Sequence, residues 1–134
     1  SQTPLPSRNA QVYIADTIGE LGTFYALSSV ALIGGSLVEH GGQNPIEAIR
    51  HGAVVLTGPH KHNFHEIYDE LLAAKGATEV KSADELAAVV KRLLSDPSEA
   101  AKLRTGAEAA LGRLGGALAK TVAALKPFLT NAGP

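Results

Sequence analysis

Gly34 to Glu47 reads GGSLVEHGGQNPIE, two glycine pairs that follow an apolar run and end in an Asn-Pro-x-Glu helix start. The preceding residues Val30-Ala31-Leu32-Ile33 suit a buried strand. Gly34-Gly35 and Gly41-Gly42 remove Cβ atoms where a ligand would approach the backbone. Asn44 then caps a helix, Pro45 fits its first turn, and Glu47 takes the third position, where a carboxylate bonds back to the cap or accepts from a ligand hydroxyl. Exposed amides and the helix dipole both favour an anion at such a start. The same pattern also describes any well-capped helix after a glycine turn, so the rest of the chain has to choose between the two readings.

Working outward, the period is strand then helix. Val12-Tyr13-Ile14-Ala15 reads as a first strand, and Asp16-Thr17 with Glu20 reads as a capping box for a helix carrying Ile18, Leu21, Phe24 and Tyr25. Val30 to Ile33 is the second strand. The Asn44 helix stops at Gly52, and Val54-Val55-Leu56 is the third strand. A helix over about Asn63 to Lys75 places Phe64, Ile67, Leu71 and Leu72 on one side, and Ala77 to Val80 forms a fourth strand. Ser82 and Glu85 make another capping box, ahead of Leu86, Val89, Val90 and Leu93. From Pro97 the alanine- and leucine-rich chain reads as two helices, broken at Gly115-Gly116 and ending near Leu129. Strands separated by helices of this length imply parallel pairing and an α/β, Rossmann-like sheet flanked by helices. Four strands are few for that architecture, so earlier strands are expected in a longer protein, and an unpaired edge is expected to favour self-association.

Composition narrows the function. The chain has 134 residues, 45% of them hydrophobic, enough for one domain with a core. No run of about 18 apolar residues spans a membrane, so the segment is expected to be soluble. With no cysteine, disulfides, thiolate metal sites and cysteine nucleophiles are excluded. A net charge of −1 without a basic stripe argues against nucleic acid as a partner. The opening SQTPLPSRNA reads as linker, residues 1–11 as a remnant of an upstream segment, and 130–134 as a tail.

In an open α/β sheet, ligands lie beyond the carboxyl ends of the strands. Three polar or glycine-rich turns are expected there: Asp16 to Glu20, Gly34 to Glu47, and Thr57 to Asn63. In the first, amides at Ile18 and Gly19 are candidates for an anion site. In the third, His60, His62 and His65 raise the question of zinc. Their spacing is not that of a helical zinc pair, so surface or phosphate-facing roles are favoured and neither metal nor cofactor is expected. Ser36 lies outside a G-x-S-x-G elbow, which disfavours a serine hydrolase.

Taken together, D-T-x-G-E-L, G-G-S-L-V, G-G-x-N-P-x-E and G-P-H-x-x-N-F, all met in this order between Asp16 and Phe64, resemble the C-terminal half of 3-deoxy-D-manno-octulosonic acid (Kdo) transferases. The likeness runs from about Val12 to Leu129. It implies a glycosyltransferase of GT-B fold that moves Kdo from CMP-Kdo onto a lipid A precursor in lipopolysaccharide synthesis, at the cytoplasmic face of the bacterial inner membrane. Residues 12–129 would be the donor-binding portion. By resemblance, Ile18, Gly19, Glu20, Asn44, Pro45, Ile46 and Glu47 contact CMP; from the glycine turn and the histidine-bearing turn themselves, Gly41, Gly42 and His60 are candidates for a place close to the phosphate. The family's Pro-Arg pair upstream has no counterpart, since Pro6 and Arg8 are not adjacent. The general base and the acceptor surface belong to the family's N-terminal domain, so no catalytic residue is assigned and the segment alone is expected to be inactive. Two other readings stay open: a different GT-B enzyme such as a UDP-sugar transferase or epimerase, and a non-catalytic nucleotide-binding module.

Overall fold

A computed structural model of the chain describes the backbone of residues 9–130 and the side chains of residues 9–116. The order is α1 (Leu21–Leu27), β1 (Val30–Leu32), α2 (Ile46–Arg50), β2 (Val54–Thr57), a 3-10 turn (His62–Phe64), α3 (His65–Ala73), β3 (Ala77–Glu79), α4 (Ala83–Ser95) and α5 (Pro97–Thr130). The three strands pair in parallel in the order β1-β2-β3. The α/β class and the parallel sheet flanked by helices are therefore as expected.

Alternation along the central strand divides the core. All four residues of β2 are buried, but Val55 packs with Ile33, Ile49, Tyr68 and Leu71. Val54 and Leu56 turn to the other face, toward Val80, Val89 and Leu93. A strand covered on both faces reads as a continuous apolar run, which is why Val54-Val55-Leu56 was legible without any alternation. Helix α5 serves both layers, with Ala100 in one and Ala107 and Ala110 in the other.

Three expectations need correction. Val12-Tyr13-Ile14-Ala15 is not a strand among the described residues: Val12 and Ile14 are about four-fifths exposed (80% and 81%), and no strand pairs with the outer edge of β1. A strand exists only by its neighbour's hydrogen bonds, and this segment instead rests the Tyr13 ring 5.9 Å from that of Phe24. Among the described residues the sheet thus has three strands, not four. The capping box at Thr17 also fails, because helix α1 starts at Leu21 with no side-chain cap, and the Thr17 hydroxyl donates to the Glu20 carboxylate instead of accepting from the backbone. Finally, the Gly115-Gly116 pair does not break the last helix, which continues unbroken as α5. Glycine weakens a helix by about 1 kcal/mol per residue but does not clash with it, as proline does. Its start is set by Asp96, whose Oδ1 accepts from the amides of Ser98 and Glu99 at 2.9 and 3.1 Å.

The Ser82 box is formed: Ser82 Oγ accepts from Glu85 N–H at 3.2 Å, and Glu85 reaches back to the amide of Lys81 at 2.8 Å. Gly52, expected as the stop of α2, takes φ +84°.

Candidate functional site

Two of the three expected turns are stitched together at the carboxyl ends of β1 and β2. Ser36, wholly buried, donates to the carbonyl of Ile33 at 2.5 Å and accepts from the amide of Gly58 at 2.8 Å. Its own carbonyl accepts from His60 N–H at 2.9 Å. One side chain thus ties the turn after β1 to the turn after β2. Gly58 is needed for the approach, since a Cβ there would lie 2.1 Å from the Ser36 carbonyl oxygen.

The second glycine pair is held from the same side. Asn63 donates its amide N–H to the carbonyl of Gly41 at 3.1 Å and its side-chain Nδ2 to the carbonyl of His40 at 3.2 Å. Gly41 has φ +97°, and a Cβ would meet the Asn63 and His62 side chains below 3 Å, so both backbone and space demand glycine. Gly42 lies beside the carbonyl of His60. The three residues expected near phosphate, Gly41, Gly42 and His60, are therefore neighbours. From the other side, Tyr68 of α3 reaches the carbonyl of Gln43 with its hydroxyl at 2.8 Å. Burial pushes the pKa of this phenol up from 10.0 to about 12, against a smaller opposite effect of the Thr57 hydroxyl.

The Asn44 start is formed one residue off the expectation. Asn44 Oδ1 accepts from Ile46 N–H at 2.9 Å, while Pro45 is buried and opens α2. Glu47 is exposed, and its carboxylate makes no hydrogen bond among the described residues. The back-bond to the Asn44 amide is absent. Helix α2 has only five residues, so its macrodipole is small and the anion affinity expected of it falls on the local amides.

Glu47 points instead at α1. A Cβ on Gly22 would lie 3.3 Å from Glu47 Oε1 and 2.9 Å from His51 Nε2, so glycine in the first turn of α1 lets α2 lie against it. Burial raises the pKa of Tyr25 on the same helix, and the negative charge of Glu47 raises it further. Ile18, Gly19 and Glu20 come just before this contact but are themselves open: Ile18 is fully exposed, and nothing lies within 4 Å of where a Gly19 Cβ would be. The first turn thus approaches the end of the second through Gly22 and, among the described residues, is not hydrogen-bonded to it.

Ser36, Asn63, Tyr68 and Gly22 were not picked out as site residues. Asn63 and Ser36 lie inside recognised motifs, G-P-H-x-x-N-F and G-G-S-L-V, and were legible to that extent. Tyr68, one of several apolar residues on a helical face, carries no local signal. His62 and His65 are exposed and turn apart, with His62 against Gly41 and His65 Nδ1 3.3 Å from the His62 carbonyl. No helix among the described residues is long and apolar enough to cross a membrane.

No protein-family model matches the chain. Curated relatives do. It is 40% identical over 130 residues to the 3-deoxy-D-manno-octulosonic acid transferase of Haemophilus influenzae, covering 96% of this chain and 30% of that protein. It is 34% identical over 124 residues to the enzyme of the same name from Bordetella pertussis, covering 92% and 29%. The chain thus spans under a third of the length of these relatives. Among solved structures it is similar to the C-terminal CMP-Kdo binding domain of WaaA from Acinetobacter baumannii, with a TM-score of 0.73 and 34% identity over 75% of this chain and 53% of that one. Sequence over nearly the whole segment and fold over three quarters of it agree, and the chain is a homologue of part of the 3-deoxy-D-manno-octulosonic acid transferases.

Proposed function

We propose that this segment is the CMP-Kdo-binding part of a glycosyltransferase that moves Kdo onto a lipid A precursor. The observation that carries the reading is the likeness in fold and sequence to a CMP-Kdo binding domain. It is supported by a glycine loop that is closed and hydrogen-bonded at the carboxyl edge of a parallel sheet, where such folds take their ligands. In this reading residues 12–129 are the donor-binding portion of a GT-B enzyme. Its other domain supplies the acceptor surface and the base, at the cytoplasmic face of the inner membrane. The acceptor oxygen bonds to the anomeric carbon of Kdo with inversion as the bond to the CMP phosphate oxygen breaks, and the acceptor proton passes to that base. This chain holds the leaving group. Glu47 accepts from the ribose hydroxyls, Ile18-Gly19-Glu20 and Asn44-Pro45-Ile46 line the nucleotide, and Gly41, Gly42 and His60 face the phosphate, whose charge fixed donors stabilise as it departs.

Glu47→Gln tests this in the longer enzyme that carries the segment. The carboxylate has no hydrogen bond to lose among the described residues, so the melting temperature stays near that of the unmodified protein. A hydrogen bond to a charged acceptor is worth about 1.5 to 3 kcal/mol, so CMP affinity measured by calorimetry falls about tenfold or more. Unchanged CMP affinity removes Glu47 from the site, and tighter binding of UMP than of CMP would favour a UDP-sugar enzyme.

A further inference from the structure

We infer that Ser36, Asn63 and Tyr68 form a three-point clamp that presets the Gly34–Asn44 loop for the nucleotide, making Asn63 and Tyr68 positioning residues; this rests on the donor-binding reading above. The loop leaves β1 and crosses to α2 with no sheet partner of its own. Its two glycine pairs leave its backbone free to adopt many conformations. Three hydrogen-bonded contacts between the loop and residues outside it remove that freedom. Ser36 anchors its start to Gly58, Asn63 holds the carbonyls of His40 and Gly41 in its middle, and Tyr68 holds the carbonyl of Gln43 at its end. The last grip falls one residue before Asn44, the first of the proposed CMP contacts on this side. The anchors differ in origin: Ser36 is within the loop, Asn63 comes from the turn after β2, and Tyr68 projects from α3.

The chemistry of each grip suits positioning. Carbonyls held by outside donors fix the direction of the peptide planes, and so of the adjacent N–H groups that a phosphate would meet. A loop ordered before the ligand arrives does not lose that entropy on binding, which raises affinity without an added contact. Tyr68 is wholly buried and Asn63 is exposed, so the two side-chain bonds, to Gln43 and to His40, can be removed by changes that differ in their risk to the fold, while the backbone bond from Asn63 N–H to the Gly41 carbonyl stays.

The test is hydrogen exchange, read with CMP binding, on the longer enzyme carrying Tyr68→Phe or Asn63→Ala. Phe keeps the buried ring and removes only the hydroxyl; Ala at an exposed position leaves the core untouched. We expect amides of 34–44 to exchange about fivefold faster in each variant, while those of β2 keep their protection. CMP affinity falls by a similar factor, and saturating CMP restores the loop's protection. Unchanged exchange of the loop in both variants would overturn the clamp. So would equal acceleration in β2, which would mean general destabilisation, or a loosened loop with undiminished CMP affinity. If the unmodified enzyme binds no CMP while the variants loosen the loop, the donor reading fails and the clamp as a structural device survives.

Discussion

The turns after β1 and β2 and the turn ahead of α1 carry comparable sequence signals, yet the structure treats them differently. The first two are bound to each other by Ser36, His60 and Asn63, with glycine wherever backbones meet. The third, Thr17 to Glu20, bonds within itself and to the helix that follows, where the Glu20 carbonyl accepts from the amides of Thr23 and Phe24, and every residue from Gln11 to Leu21 is exposed. The difference follows the sheet. Turns that leave adjacent paired strands are delivered side by side, whereas the turn ahead of α1 follows a segment with no strand partner and is placed only by Phe24 and Gly22. One half of the proposed nucleotide site is therefore preformed, and the other is set by a single helix contact.

The largest expected effect contrasts a glycine in each region. In Gly58→Ala the new methyl meets the Ser36 backbone, so the turn must move, at a cost of about 3 kcal/mol. In Gly19→Ala the methyl enters open space, and only the left-handed φ of +91° resists it, costing about 1 kcal/mol. Urea denaturation of both variants checks the ratio; equal losses would show that the two turns are equally held.

Next is the outer edge of β1. Its unpaired backbone groups and the half-open Leu32 favour pairing with another chain, so the isolated segment should sediment as a concentration-dependent dimer or larger species. Leu32→Lys should return it to monomer, because an edge charge opposes strand addition. A compact monomer at high concentration with a cooperative melt would mean that three strands suffice.

The smallest effect sharpens the contact between α1 and α2. Removing the Glu47 charge takes away the lesser of the two causes that raise the Tyr25 pKa, so Glu47→Gln should lower it part of the way back toward 10.0. Burial keeps the remainder. Spectrophotometric titration of tyrosinate would report the shift, and an unmoved Tyr25 would mean that α1 and α2 do not hold the registry seen across Gly22.

Much of this molecule could be read locally. The apolar run at Val54, the Ser82–Glu85 box and the stop at Gly52 are each decided within a few residues, by burial of a continuous strand, by reciprocal capping and by a left-handed backbone. The Gly34–Glu47 stretch was legible for the same reason, since glycine pairs and Asn-Pro are short-range demands on φ and on hydrogen bonding. What failed locally depended on distant partners. Val12 to Ala15 has strand composition, but pairing needs a neighbour. Thr17 and Glu20 have the spacing of a box, but the helix begins at Leu21. Gly115-Gly116 looks like a break, but glycine alone cannot stop a helix.

The residues themselves thus determined that the chain builds parallel α/β layers with a glycine-rich loop at a strand end, and their ordered motifs carried its likeness to 3-deoxy-D-manno-octulosonic acid transferases. Tertiary structure decided which turns meet. Only the side-by-side delivery of the chain by β1 and β2 brings Asn63 onto Gly41, and only the packing of α3 on the sheet carries the Tyr68 hydroxyl to the Gln43 carbonyl, 25 residues away in sequence. Hydrogen bonds of that span have no local periodicity or propensity to announce them, because they depend on where the folded sheet places two separate pieces of backbone.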